Sequence, residues 1–244
     1  STPLYSSAAS DVYKRQIKDG LNARGLSLEE EYRINLRLYN EYEAYICDSA
    51  RHYINRNIDI ATQQNNREWL DESKLKKAHI LATSGLYAEG VRLLETIEKQ
   101  YLSERLLVDY YMAFENIYLY HAEYAQDDEY RPEYLDKMNR YRDSVLSVVA
   151  EGSYQYVIVR APQCIDRQQP EQAEILLKDC INQTTSDTRE YAILTSILAF
   201  TYQMSNRLEL QMMSLAESAI ADIKGVVKEN NSLRALSELS LIHI

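Results

Sequence analysis

Four short rows of small or apolar residues recur along this 244-residue chain at nearly even intervals. They are Ala50, Ile54 and Asn57; Gly90, Leu94 and Ile97; Ala173, Leu177 and Cys180; and Met212, Ala216 and Ala219. Each row has the spacing i, i+4, i+7, which is one face of an α-helix. Gly90 minus Ala50 is 40, and Met212 minus Ala173 is 39. Ala173 minus Gly90 is 83, which leaves room for one more unit of similar size over 103–149. One helix pair cannot bury its own apolar face, so stacked neighbours supply the burial and the small residue lets two helices approach closely. The pattern predicts an all-α, right-handed α-solenoid of stacked antiparallel helix pairs: about five pairs and a truncated sixth.

Composition closes off the alternatives. Gly is 6 and Pro is 4, together 10 of 244 residues. So few turn formers cannot make the tight turns of a β-sandwich or barrel, nor a glycine-rich phosphate loop. Lys+Arg 27 against Asp+Glu 37 gives a net charge of −10. That balance excludes nucleic acid as a partner of this region, because phosphate contacts need concentrated positive charge. No apolar run approaches the roughly 18 residues that span a bilayer.

Local signals place the helices. Ser27 and Glu30 form a capping box ahead of Leu28, Tyr32, Leu36, Tyr39 and Tyr42. Asp48 is expected to cap the next helix. A third covers 71–83, with Leu75, Ala78, His79 and Ala82 on one face; Ser84-Gly85 turns the chain into a fourth over 87–101. Ser103 opens a long tyrosine-rich helix to about 126, and Asp127-Asp128-Glu129 is an acidic loop. Pro132 suits the first turn of the following helix. Residues 154–159 have the composition of a strand, but no partner strand is visible, so they read as helix with a kink or early stop at Pro162. Pro170 opens the next helix; 187–202 and 207–224 form a further pair, and 228–238 begins one more.

The two ends read differently. Residues 1–16 and 240–244 break the helical pattern and resemble translated sequencing-adapter read-through; a natural unstructured N-terminus and C-terminal stub is the alternative. The expected organisation is thus 1–16 outside the fold, a solenoid over 17–239, and 240–244 outside it, with true termini lying elsewhere.

The run Gly85-Leu86-Tyr87-Ala88-Glu89-Gly90 resembles the turn pattern of tetratricopeptide repeats: glycine, aromatic, then a small residue. The period is longer than the usual ~34 residues, Asn57 departs from the small residue expected, and the Trp-Leu-Gly part of the first helix is absent. A closer resemblance rests on Leu38-Tyr39-Asn40-Glu41-Tyr42, Cys47-Asp48-Ser49-Ala50, Ser84-Gly85-Leu86-Tyr87, and Ser218–Lys224 with Lys228-Glu229-Asn230. These runs resemble a Bacteroidetes family, a domain of unknown function. Its members carry an N-terminal tetratricopeptide-like region, one transmembrane helix and a C-terminal coiled-coil and regulatory part. The resemblance implies a sensory region, periplasmic in an inner-membrane protein, reaching the membrane only through a segment outside this sequence. It supplies no catalytic residues.

The residues make no case for an enzyme, a cofactor or a metal centre. Cys47, Cys164 and Cys180 are odd in number and none forms a C-x-x-C pair; they read as small buried residues, with a Cys164–Cys180 bridge left open. No two of His52, His79 and His121 stand at i+3 or i+4, and the acidic loop lacks the ligand spacing of a calcium site. Tyrosine is the anomaly: 21 residues, against Phe 2 and Trp 1. Its rings serve repeat packing with hydroxyls reaching outward, or line a groove that binds peptide or glycan. Tyr111, Tyr118 and His79 are the candidate groove-lining residues. The function expected is a non-catalytic protein- or peptide-binding and sensing domain. An outer-membrane nutrient- or glycan-binding solenoid and a cytoplasmic scaffold are the competing readings.

Overall fold

A computed structural model describes residues 17–21, 25–43, 47–124, 128–186 and 188–224. Ten α-helices of more than two turns lie among the described residues: α1 (Leu28–Tyr42), α2 (Cys47–Gln63), α3 (Arg67–Thr83), α4 (Tyr87–Glu95), α5 (Glu104–Tyr124), α6 (Arg131–Leu146), α7 (Tyr154–Asp166), α8 (Pro170–Asn182), α9 (Arg189–Met204) and α10 (Leu208–Lys224). No strand occurs among the described residues. Packing divides the chain into two units, Ser1–Tyr141 and Arg142–Ile244.

Side-chain caps fix the start of four helices. Ser27 accepts from the Glu30 N–H while the Glu30 carboxylate accepts from the Ser27 N–H, the reciprocal box expected. Asn66, Ser153 and Thr188 cap α3, α7 and α9 with the single bond, each side chain accepting from the N–H three residues on. Asp48 does not cap α2. It lies inside the first turn, where its charge complements the helix dipole instead. Asn66 also moves the start of α3 to Arg67, four residues before the expected start at 71.

Helix ends share one device. After α2, α3, α7 and α9 the chain passes through a left-handed residue: Asn65 (φ 49°), Gly85 (φ 76°), Gln168 (φ 59°) and Asn206 (φ 55°). Behind Gly85, Leu86 N–H reaches Leu81 C=O and Gly85 N–H reaches Ala82 C=O. Gln169 to Cys164 with Gln168 to Ile165, and Arg207 to Tyr202 with Asn206 to Gln203, repeat this pair of bonds. Asn66 to Ala61 with Asn65 to Thr62 repeats it again. Each is a Schellman closure, which satisfies carbonyls the helix leaves orphaned. Only one of the four uses glycine, so the chain turns often with so little of it.

Two expected boundaries fail. The fourth helix ends at Glu95 and the chain continues through a 3₁₀ turn, Lys99–Tyr101, instead of running to 101. The seventh does not stop at Pro162 but continues to Asp166. Proline there forfeits one intrahelical bond, and the packing of Val157, Ala161, Cys164 and Ile165 into the core offsets the loss.

In the first unit α1 packs on α2, α2 on α3, and α3 on both α4 and α5. In the second, α7 packs on α8 and α9, α8 on α9, and α9 on α10. The repeated rows lie in these contacts. Ala50, Ile54, Leu94, Ala173 and Leu177 are fully buried. At Gly90 an added Cβ would stand 2.9 Å from Ile117 Cδ1, so α4 and α5 meet there without room for a side chain. The fourth row sits one residue earlier than expected. Ala219 of the expected row is buried, but Met212 and Ala216 are only half-buried, whereas Gln211, Leu215 and Ser218 are all buried at the same i, i+4, i+7 spacing. Two of these three are polar, which hid the row.

The last position of the row carries polar groups with specific work. Asn57 Nδ2 donates to Tyr32 C=O on α1 at 3.0 Å, and Asn57 Oδ1 accepts from Asn35 Nδ2 at 3.0 Å. Ser218 Oγ donates to Ala192 C=O on α9 at 2.8 Å. The departure of Asn57 from a small residue is therefore a buried bond between the helices of a pair. Cys164 and Cys180 are free thiols in one core cluster, and Cys47 is free as well. Among the described residues no cluster of His, Cys, Asp and Glu could hold a metal, and no helix is long and apolar enough to cross a membrane. Asp127 and residues 1–16 and 225–244 lie outside the described residues.

Candidate functional site

In the first unit the first helices of three pairs, α1, α3 and α5, are tied by tyrosines and ions. Tyr32 stacks on Trp69 with ring centroids 4.5 Å apart. Its hydroxyl reaches Trp69 C=O (3.1 Å) and the Glu72 carboxylate (3.0 Å). Burial pushes the Tyr32 phenol well up, so it stays a donor. Glu72 accepts from Arg105 on α5 at 3.0 Å. Arg105 also lies 3.8 Å from Asp109 and 3.9 Å from Glu68. Tyr39 donates to Lys76 C=O at 3.1 Å, and Lys76 Nζ sits 5.0 Å over the same ring.

These side chains form two rows. On α3, Glu68, Glu72, Lys76 and His79 stand at i, i+4, i+8 and i+11, one helical stripe. On α5, Arg105 and Asp109 face them. Asp109 has half its side chain open to water, yet desolvation raises its pKa against the opposing pull of Arg105 and Lys76. The rows thus set charges of both signs against one another across α3 and α5.

The candidate tyrosines sit on another face of α5. Tyr111 and Tyr118 are half-buried and both meet Tyr141 of α6, at ring distances of 6.5 and 5.9 Å. Phe114 lies between them and stacks flat on Tyr141 at 4.5 Å. Lys137 Nζ stands 5.4 Å over the Tyr118 ring. Burial pushes the Tyr141 phenol up to about 12. The structure therefore joins Tyr111 and Tyr118 through Tyr141 and places His79 on α3 in the charged row. Sequence reasoning missed Glu72, Lys76, Arg105 and Asp109. The i, i+4 spacing of charge on α3 and α5 was the available signal, but it is shared by any solvated helix face.

The second unit has a recess of its own, about 370 Å³, lined by α8, α9 and α10. Tyr191, Leu198, Tyr202 and Met213 form its apolar part, and Lys178 and Glu217 its charged rim. On the α8–α9 side, the Glu174 carboxylate takes Lys178, Arg207 and the Tyr202 hydroxyl together.

Helix pairs with a small-residue row, Schellman turns and one shared face of first helices define a tetratricopeptide architecture, and the family model described as the SusR N-terminal TPR domain matches residues 14–242. The chain belongs to the SusR N-terminal TPR domain family. Among solved structures it is similar to TTC0263, a thermophilic TPR protein of Thermus thermophilus. The TM-score is 0.63 at 17% identity, over 88% of this chain and 100% of that one. At that identity the likeness speaks for the fold alone. No curated protein matches the sequence. Membership in the SusR N-terminal TPR family fits an interaction domain, since TPR folds present helix faces to protein partners.

Proposed function

We propose that this chain is the non-catalytic sensing region of a larger regulatory protein, and that it binds a peptide or protein segment along the charged face of α3 and α5. The observation that carries the reading is the charged face shared by α3 and α5, where Arg105 pairs with Glu72 and an exposed Asp109 stands beside it. A face with fixed charges of both signs favours one register of a polar chain over others. The family description supports the larger context, because an N-terminal domain stands ahead of other parts. Anchoring in the inner membrane, with this region in the periplasm, is the arrangement that the resemblance of its sequence runs suggests. His79 continues the charged row of α3 in this reading, Tyr111 and Tyr118 offer a second, aromatic face of α5, and no residue of either acts as a catalyst.

The test is photocrosslinking in the native host from a benzophenone residue at position 109, with position 175 as an exposed control on α8. A polypeptide adduct from 109 and none from 175 is expected. Equal adducts from both positions, or none from 109, would sink the proposal. Sequencing the source locus with long reads tests the context separately; a membrane helix downstream is the expected result.

A further inference from the structure

α9 is apolar on two sides. One side, with Ala192, Leu194, Leu198, Ala199 and Tyr202, is buried, and the helix packs on α7, α8 and α10. The other side carries Ile193, Ile197, Phe200 and Met204 at i, i+4, i+7 and i+11, one row about 16 Å long. Ile193 and Ile197 are half-buried, while Phe200 is 40% and Met204 60% exposed. A helix that is apolar all round belongs in an interior, so the open row calls for a cover.

α10 supplies a second wall. Met212 and Ala216 stand 38 residues after Glu174 and Lys178 of α8. That earlier pair faces the helix that follows it: Glu174 accepts from the Tyr202 hydroxyl of α9, and Lys178 Nζ lies 5.9 Å over the same ring. The equivalent places on α10 are apolar and half-buried. Since α9 packs on both α7 and α8, a helix in the next place of the stack would pack on both α9 and α10. The open row of α9 and the apolar side of α10 continue that interface by one step.

The sequence holds an occupant of the right length. Residues 225–227 separate α10 from position 228, as many as the turns 64–66, 84–86, 167–169 and 205–207 contain. Read as a helix, 228–239 puts Leu233, Leu236 and Leu239 on one side and Arg234 with Glu238 on the opposite side. Residues 228–238 would span about 16 Å, the length of the α9 row. At an offset of 36, Leu233 answers Ile197 and Leu236 answers Phe200.

We propose that residues 228–239 cover this row as the first helix of a further pair, parallel to α9, with Leu233 over Ile197 and Leu236 over Phe200. The seat belongs to this chain's own segment, not to a second copy or another protein. The inference does not rest on the reading of α3 and α5 above.

The test is disulfide trapping in the full chain. Phe200→Cys is combined with Leu236→Cys; the control combines Leu236→Cys with Ile175→Cys, at an exposed position on α8. Both are oxidised with copper–phenanthroline, and the bridges are located by mass spectrometry of tryptic peptides. An intramolecular 200–236 bridge, forming at least tenfold faster than the 175–236 bridge, is expected. Adding Leu233→Glu should slow the 200–236 bridge tenfold or more, and adding Leu233→Met should leave it within a few-fold. Both changes at 233 leave α1–α10 untouched, so a slower bridge reports the seat and not the stack. Equal rates from 175 and 200, no bridge at 200, or a rate that Leu233→Glu does not move would each overturn the proposal. A 200–236 bridge that joins two chains, with a dimer in sedimentation velocity, would give the seat to a second copy and overturn it as well.

Discussion

Tyr32 and Tyr39 stand seven residues apart on α1 and send their hydroxyls to two carbonyls that are also seven apart on α3, those of Trp69 and Lys76. Two turns of one helix are thereby registered against two turns of another by side chains alone. Phenylalanine could fill the same space but could not fix the register. We expect Tyr39→Phe to cost about 1 kcal/mol, the net worth of one such bond. Tyr32→Phe should cost up to about 2 kcal/mol, because a carboxylate partner is lost with it. Thermal unfolding of both variants checks the order.

Gly90 and Ile117 interlock across α4 and α5, and this contact makes a sign-changing prediction. Gly90→Ala gains about 1 kcal/mol of helix propensity but drives a Cβ into Ile117 Cδ1. In the wild-type background the two effects should nearly cancel. With Ile117→Val the clashing carbon is gone, and Gly90→Ala should then stabilise by up to about 1 kcal/mol relative to Ile117→Val alone. A double-mutant cycle by urea unfolding measures it; additive effects would disprove the interlock.

The left-handed turn residues give opposite expectations at equivalent places. Gly85→Ala should destabilise by about 1 kcal/mol, since an L side chain resists that backbone conformation. Gln168→Gly should stabilise by up to about 1 kcal/mol for the same reason. Denaturation midpoints of the two variants, shifting in opposite directions, are the check.

Glu174 sets an acid limit for the second unit. Burial raises its pKa, but hydrogen bonds from Lys178, Arg207 and Tyr202 outweigh that and hold it below the usual 4.5. A carboxylate with a depressed folded pKa stabilises above its unfolded pKa, and the gain disappears as pH falls through the folded value. Glu174→Gln should therefore lower stability near neutral pH, and the difference from wild type should shrink as pH falls from the unfolded pKa of about 4.3 through the lower folded value. Melting temperatures from pH 7 to pH 3 test the convergence.

The helical stack could be read directly because its cause is local and periodic: Ala50, Ile54, Gly90 and Leu94 repeat at a fixed spacing and are buried where that spacing puts them. The last row was misread by one residue because Gln211 and Ser218 are polar, and their burial depends on partners that only the fold supplies. The run-through at Pro162 and the cap at Asn66 were missed for related reasons: core packing overruled the first, and a side-chain bond to Trp69 N–H decided the second. The charged face was least legible. Glu72, Arg105 and Asp109 differ from ordinary surface charges only in what stands opposite them, and that is a property of α3 beside α5, not of either sequence.

The buried polar groups at the ends of the rows also limit what recombination can do with these repeats. Asn57 needs Tyr32 C=O and Asn35 in front of it; Ser218 needs Ala192 C=O. Ile97 at the same place needs only apolar neighbours. A chimera that set α2 behind α7, or α4 behind α1, would bring a mismatched key to each lock and strand an amide in a dry interior. Repeats that look interchangeable by outline are thus addressed to their own partners, and duplication of a whole pair is the exchange this chain tolerates best.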